Sequence, residues 1–174
     1  MKEPISFNYP YPTDTVMAMF RDTAYITKKH AQLRQRNIRI LEAIDKPDLY
    51  RLTVRRDLRG LLPESVPEFA AAVVDKLSSI VTTIEWRRQY DDSYVGRNSV
   101  HVEGAPLEAH IDYWLMVVGD TCLHKQVMHT AVNLPLIGGA LERFVMDAIR
   151  NIQHKDYQYN MEFLKTFRVA DATA

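Results

Sequence analysis

The chain has 174 residues, about half of them apolar, and 22 basic side chains balance 22 acidic ones. That length fits one domain with a full core, and zero net charge removes any global attraction for nucleic acid or an anionic membrane. One cysteine, Cys122, leaves no internal disulfide and no multi-cysteine metal site.

The opening M-K-E-P-I-S-F-N-Y has no apolar run of signal-peptide length. No later segment approaches the roughly 18 apolar residues of a spanning helix. No integral membrane association is therefore expected, and the missing signals place the chain in the cytoplasm.

In chain order, I-S-F-N-Y alternates Phe7 and Tyr9 with polar neighbours and reads as a first strand, ended by Pro10 and Pro12. Thr13 and Asp14 are capping candidates for a helix carrying Val16, Met17 and Phe20, and Asp22 for a second helix behind it. R-N-I-R-I-L-E-A-I-D and D-L-Y-R-L-T-V-R-R-D-L, joined by the turn D-K-P-D, read as a hairpin. Strict alternation turns Ile38, Ile40, Glu42 and Ile44 to one side, and Arg56 to the side of Tyr50, Leu52 and Val54. Gly60 and Pro63 break the hairpin. Ser65 and Glu68, spaced as a capping box with Pro67 in the first turn, start a helix with Phe69, Val73 and Leu77 on one stripe.

From Ser79 the texture is that of strands. S-I-V-T-T-I-E-W-R-R-Q is β-branched, Y-V-G-R-N-S-V-H-V ends at the turn E-G-A-P, and P-L-E-A-H-I-D-Y-W-L-M-V-V alternates cleanly. Gly119-Asp120 fits a two-residue hairpin and sets Ile111 opposite Met128 and Leu107 opposite Val132. After Asn133, Pro135 ends a strand and Gly138-Gly139 make a corner close to the sheet. Leu141, Phe144, Val145, Ala148, Ile149 and Ile152 then form the stripe of a long last helix. The stripe falters at His154–Asp156 and resumes with Tyr159 and Phe163. A single domain over residues 1–168 is expected, with V-A-D-A-T-A (169–174) as a frayed tail.

This order, β-α-α-β-β-α-β-β-β-β-α, gives an α+β fold in which one helix of about 25 to 30 residues lies along a curved antiparallel sheet of 6 or 7 strands. Three stretches resemble the START-like, helix-grip group also called the SRPBCC superfamily, and within it a bacterial family of unknown function. They are F-N-Y-P-Y-P-T-D-T-V, the E-W of Glu85-Trp86, and P-L-I-G-G-A-L-E. The resemblance implies an apolar ligand, such as a lipid, isoprenoid or polycyclic, held between the last helix and the sheet. Some members of the superfamily are cyclases and others regulate partner proteins.

Ile84, Trp86, Ile111, Tyr113, Met128, Phe144, Ile149 and Ile152 are the candidate cavity lining, though each is also what a plain core would use. Glu42 and Arg56 are candidate polar anchors, with a bulge or an open strand end as the competing reading; Lys155 and Asp156 invite the same two readings. His110 would face His129 with Asp112 two residues along, but on the polar face and without H-E-x-x-H spacing, so a solvated surface and no metal is expected. No G-x-S-x-G marks a nucleophile, Gly138-Gly139 lacks phosphate-cradle spacing, and alternation splits the arginines of R-R-D-L-R and W-R-R between faces, so neither a cofactor nor nucleic acid is expected. A ligand-binding domain is the leading reading. A cyclase or dehydratase using Glu42, His110 or Tyr113, and an interaction module with a filled interior, are the alternatives.

Overall fold

The computed structural model describes residues 1–33, 35–58, 65–75, 77–105, 107–135 and 137–167, apart from the side chains of residues 72 and 73. The elements are β1 (Lys2–Tyr9), α1 (Thr13–Arg21), α2 (Thr23–Gln32), β2 (Arg39–Asp45), β3 (Leu49–Asp57), α3 (Glu68–Val74), β4 (Ser79–Arg88), β5 (Tyr94–Val102), β6 (Leu107–Val118), β7 (Thr121–Val132) and α4 (Gly138–Leu164). All seven strands form one antiparallel sheet in the order β1-β7-β6-β5-β4-β3-β2. The order along the chain is the one its patterns predict, and the 27-residue α4 packs against β7 and β1 in the helix-grip arrangement.

The hairpin of β6 and β7 has the register its turn dictates: Ile111 pairs with Met128 and Leu107 with Val132. Gly119 holds the left-handed φ of 57° that the first loop position requires. Asp22 caps α2 by accepting from the Ala24 amide. At α1 the cap position belongs to Pro12, which offers no side-chain bond. Thr13 instead donates to the Asp92 carbonyl, and Asp14 accepts from the Tyr94 hydroxyl, so both candidate caps tie α1 to the β4–β5 turn.

Three local expectations are corrected. β2 is a solvent-exposed edge strand paired only with β3, with Ile40 and Leu41 in it at 48% and 55% exposure and Ile38 just before it at 37%. A bulge between Ile40 and Glu42 shifts the register, so Glu42 pairs with Thr53 on the outer face. Among the described side chains of α3 the buried one is Ala70; Phe69 is 41% exposed and Leu77 lies beyond the helix end. The Gly60–Pro63 break and the tail at 169–174 lie outside the described residues, as does the side chain of Val73.

Pro135 and the two glycines do bring α4 close to the sheet, but only Gly138 requires it. A Cβ there would meet the Val132 carbonyl oxygen at 2.8 Å, whereas Gly139 has open space. Glu142, one turn into α4, accepts from the Val132 amide at 3.1 Å and fastens the helix start to the end of β7.

Candidate functional site: two chambers beneath the last helix

The concave face of the sheet is the floor of the site and α4 is its roof. Along β3, alternation sends Tyr50, Leu52, Val54 and Arg56 inward; along β7 it sends His124, Gln126, Met128 and Thr130 inward. The floor is therefore polar in one region and hydrocarbon in another. Two chambers follow from that division.

The first, of about 100 Å³, lies under the first half of α4. Leu58, Ile80, Val100 and Leu107 line it from the sheet side, and Phe144, Ala148 and Ile149 from the helix. Every lining side chain is hydrocarbon.

The second, of about 130 Å³, lies under the later turns of α4 and is closed by α2. Its aromatic wall is Phe20 stacked on Trp86 (6.0 Å, 15°) and Trp86 stacked on Tyr113 (5.1 Å, 13°). Trp86 fits against the floor because its cross-strand partner is Gly96; a Cβ there would come within 2.7 Å of the indole. Ile152 lines both chambers, so they meet beneath one turn of α4.

Polar atoms converge on this second chamber. Among the described residues Arg56 Nε, Trp86 Nε1, Asn98 Oδ1, His124 Nε2, Gln126 Oε1 and Asp156 Oδ1 are all buried there without a hydrogen-bond partner. Leaving a buried donor or acceptor unpaired costs about 1–3 kcal/mol, and native interiors rarely tolerate it. The atoms include two obligate donors and three acceptors, a set suited to a molecule with both kinds of group.

The charges are unevenly matched. Lys29 donates to Asp156 at 3.2 Å, neutralising that carboxylate. Arg56 has no such partner among the described residues, and burial holds its guanidinium below its ordinary pKa, with Asp156 opposing. Burial pushes His124 down to about 3 and, aided by Lys29 and Arg56, His30 down to about 4, so both imidazoles are neutral at pH 7. Desolvation raises Tyr113 and Tyr50 to about 12. The chamber thus holds one uncompensated cation, and both of its histidines are held well below neutrality.

The predicted lining residues divide accordingly. Ile84, Trp86, Tyr113 and Arg56 line the polar chamber, Phe144 and Ile149 the hydrocarbon one, and Ile152 both. Ile111 and Met128 line neither: they pair across β6 and β7 at 2% and 0% exposure and pack as core. Glu42 is outside, turned away by the bulge in β2. Asp156 reaches the chamber while Lys155 stays exposed. Cys122 is a buried thiol that desolvation pushes up to about 12.

Asn98, His124, Gln126, Gln153 and Asn160 were missed. Parity with Tyr113 and Met128 points His124 and Gln126 inward, and the spacing 149, 152, 153, 156, 160 carries the α4 stripe on in polar residues.

A family profile described as a protein of unknown function, DUF2505, matches residues 5–164. The chain belongs to this family. No protein with a curated description matches it. Among solved structures it is similar to TTHA0849 from Thermus thermophilus, with TM-score 0.58, 11% identity, and 95% and 97% of the two chains covered. Human STARD10 gives 0.55 at 11% identity, over 94% of this chain and 64% of that one. A START superfamily protein from Mycobacterium smegmatis gives 0.53 at 11%, over 93% and 98%. At such identities the likeness speaks for the fold, which is START-like. No helix among the described residues is long and apolar enough to cross a membrane.

Proposed function

We propose that the chain binds a small amphipathic molecule between α4 and the sheet, with its hydrocarbon in the carbon-lined chamber and a negatively charged head facing Arg56. The observation that carries this reading is the set of six buried, unpartnered polar atoms around one chamber, joined at Ile152 to a chamber lined by carbon alone. Water could satisfy the polar atoms; the adjoining hydrocarbon space is what favours an amphiphile. An anionic head is favoured because Lys29 and Asp156 neutralise each other and Arg56 is left over. Hydrocarbon transferred into such a space gains about 0.8 kcal/mol per CH₂.

Both chambers are small beside the roughly 300 to 1,000 Å³ of drug-sized sites. A compact ligand, such as a medium-chain carboxylic acid, fits better than a long lipid. Acid–base catalysis is disfavoured, because the histidines and two of the tyrosines of the chamber, His124, His30, Tyr113 and Tyr50, have been driven toward 3–4 or 12 and a general acid or base works best near the ambient pH. An interaction module with a filled interior is disfavoured by the chambers themselves.

Calorimetry with octanoate, octanol and a branched isoprenoid acid tests the reading, alongside native mass spectrometry of the freshly purified chain. The acids should bind about tenfold or more tightly than the alcohol, and Arg56→Met should remove that preference, as expected for a charge-assisted bond. If no acid, alcohol or purification adduct is found at millimolar concentration, the proposal fails.

A further inference from the structure

The opposite, convex face of the sheet carries a second cluster. His110 on β6 stands directly across from His129 on β7, the two rings stacked at 4.4 Å with planes 12° apart. Asp112, two residues along β6, faces the same way, and its Oδ2 lies 3.4 Å from His129 Nε2 and 3.9 Å from His110 Nε2. Its other oxygen is already committed: Arg97, the cross-strand partner on β5, donates Nε to Oδ1 at 2.7 Å. One carboxylate oxygen is thus pinned and the other is turned to both imidazoles.

These separations can be compared with what a metal requires. Zinc bound tetrahedrally at about 2.0–2.1 Å holds its nitrogen and oxygen ligands about 3.3–3.4 Å apart. The His129–Asp112 edge already has that length. The His110 edge needs to close by about half an ångström, and the two stacked imidazoles must turn about their side-chain torsions so that both ring nitrogens point at a common centre. Candidate ligand atoms from the three residues lie within 4.8 Å of one another. They are mounted on two 12-residue strands inside the sheet, each hydrogen-bonded on both edges, so the backbone positions are fixed. Arg97 supplies the outer-shell bond that orients a metal-binding carboxylate. The residues are partly exposed, which leaves the remaining coordination position to solvent.

We propose that His110, Asp112 and His129 form a site for a divalent transition metal, zinc foremost, in a two-histidine, one-carboxylate arrangement with Arg97 as its positioning residue. The spacing of H-x-D on one strand fixes only two ligands. The third comes from the neighbouring strand, and the hairpin register delivers it. The site is independent of the ligand chambers, which lie on the other face.

Titration of the full chain with zinc, in competition with a chromophoric chelator, tests this. One equivalent should bind at about 10 μM or tighter, and His110→Ala, His129→Ala and Asp112→Asn should each weaken it by about tenfold or more, with Arg97→Met weakening it by a smaller factor. His154→Ala, exposed on α4, serves as the control and should leave zinc affinity unchanged. Circular dichroism of every variant should match that of the parent chain, which separates loss of the site from loss of the fold. The absence of saturable binding below 1 mM zinc, or binding unaffected by His129→Ala, would overturn the proposal and leave the three residues as a surface histidine–aspartate cluster.

Discussion

Arg56 continues the inward series Tyr50, Leu52, Val54 along β3 and is the first member of that series whose side chain cannot be satisfied by packing. Its Nε is buried without a hydrogen-bond partner, and the acidic neighbour that partly offsets its charge, Asp156, is already paired with Lys29. In the free protein such a group is a liability, because removing an uncompensated charge from an interior is stabilising where the replacement fills the same volume. Arg56→Met should therefore raise the stability of the ligand-free chain by about 1–2 kcal/mol, measured by urea denaturation. A clear loss of stability would mean that Arg56 is satisfied inside the protein and is no ligand anchor. Strand parity was enough to point Arg56 inward from the sequence. The same rule misdirected Glu42, because it assumes an unbroken ladder and the extra residue in β2 reverses every side chain after it. A bulge leaves no periodic trace in a seven-residue edge strand, so the pattern could offer the bulge as the competing reading for Glu42 but could not place it.

Within α4 the inner face changes character part-way along. Leu141, Ala148 and Ile149 cover hydrocarbon, whereas Gln153, Asp156 and Asn160 cover the polar chamber. The faltering of the apolar stripe after Ile152 records this change of floor beneath the helix. Asn160 is the anchor of the polar half: it accepts from the Tyr25 hydroxyl at 2.5 Å and donates to the Tyr9 hydroxyl at 2.8 Å, joining α4 to α2 and β1 through buried hydrogen bonds. Desolvation raises both tyrosines well above their ordinary pKa, so they remain neutral and depend on that amide. Asn160→Ala would orphan two buried hydroxyls, each worth about 1–3 kcal/mol. A loss of about 2–4 kcal/mol in chemical denaturation is expected; a loss under 1 kcal/mol would show that the tyrosines find other partners. The sequence reveals the length and placement of α4 because those follow from its spacing. What it conceals is the pairing of Asn160 with Tyr9 and Tyr25, whose sequence separations of 151 and 135 residues fall outside any local pattern.

At the scale of the whole molecule, the consequence of a polar interior is a dependence on pH. His124 and His30 are buried at 5% and 4% exposure, His124 among the rings of Trp86, Tyr113, Phe20 and Tyr9, His30 against Gln35 with Lys29 and Arg56 nearby. Desolvation lowers both, to about 3 and about 4. In the unfolded chain each titrates near 6.5. Between pH 6.5 and pH 4 the unfolded state therefore binds protons that the folded state refuses, and stability rises with pH across that window. Acidification from pH 7 to pH 4 should cost about 3 kcal/mol for each histidine. Carboxylates contribute to the same interval, so the histidine share is isolated by difference: His124→Gln and His30→Gln, denatured in urea at pH 7 and pH 4, should each flatten the slope by about that amount. An unchanged slope in His124→Gln would mean that the imidazole takes up its proton as readily inside the fold as in the unfolded chain. The polar chamber would then gain a further cation on acidification, which would tighten binding of an anionic head group below about pH 6.5 while removing this basis for acid lability.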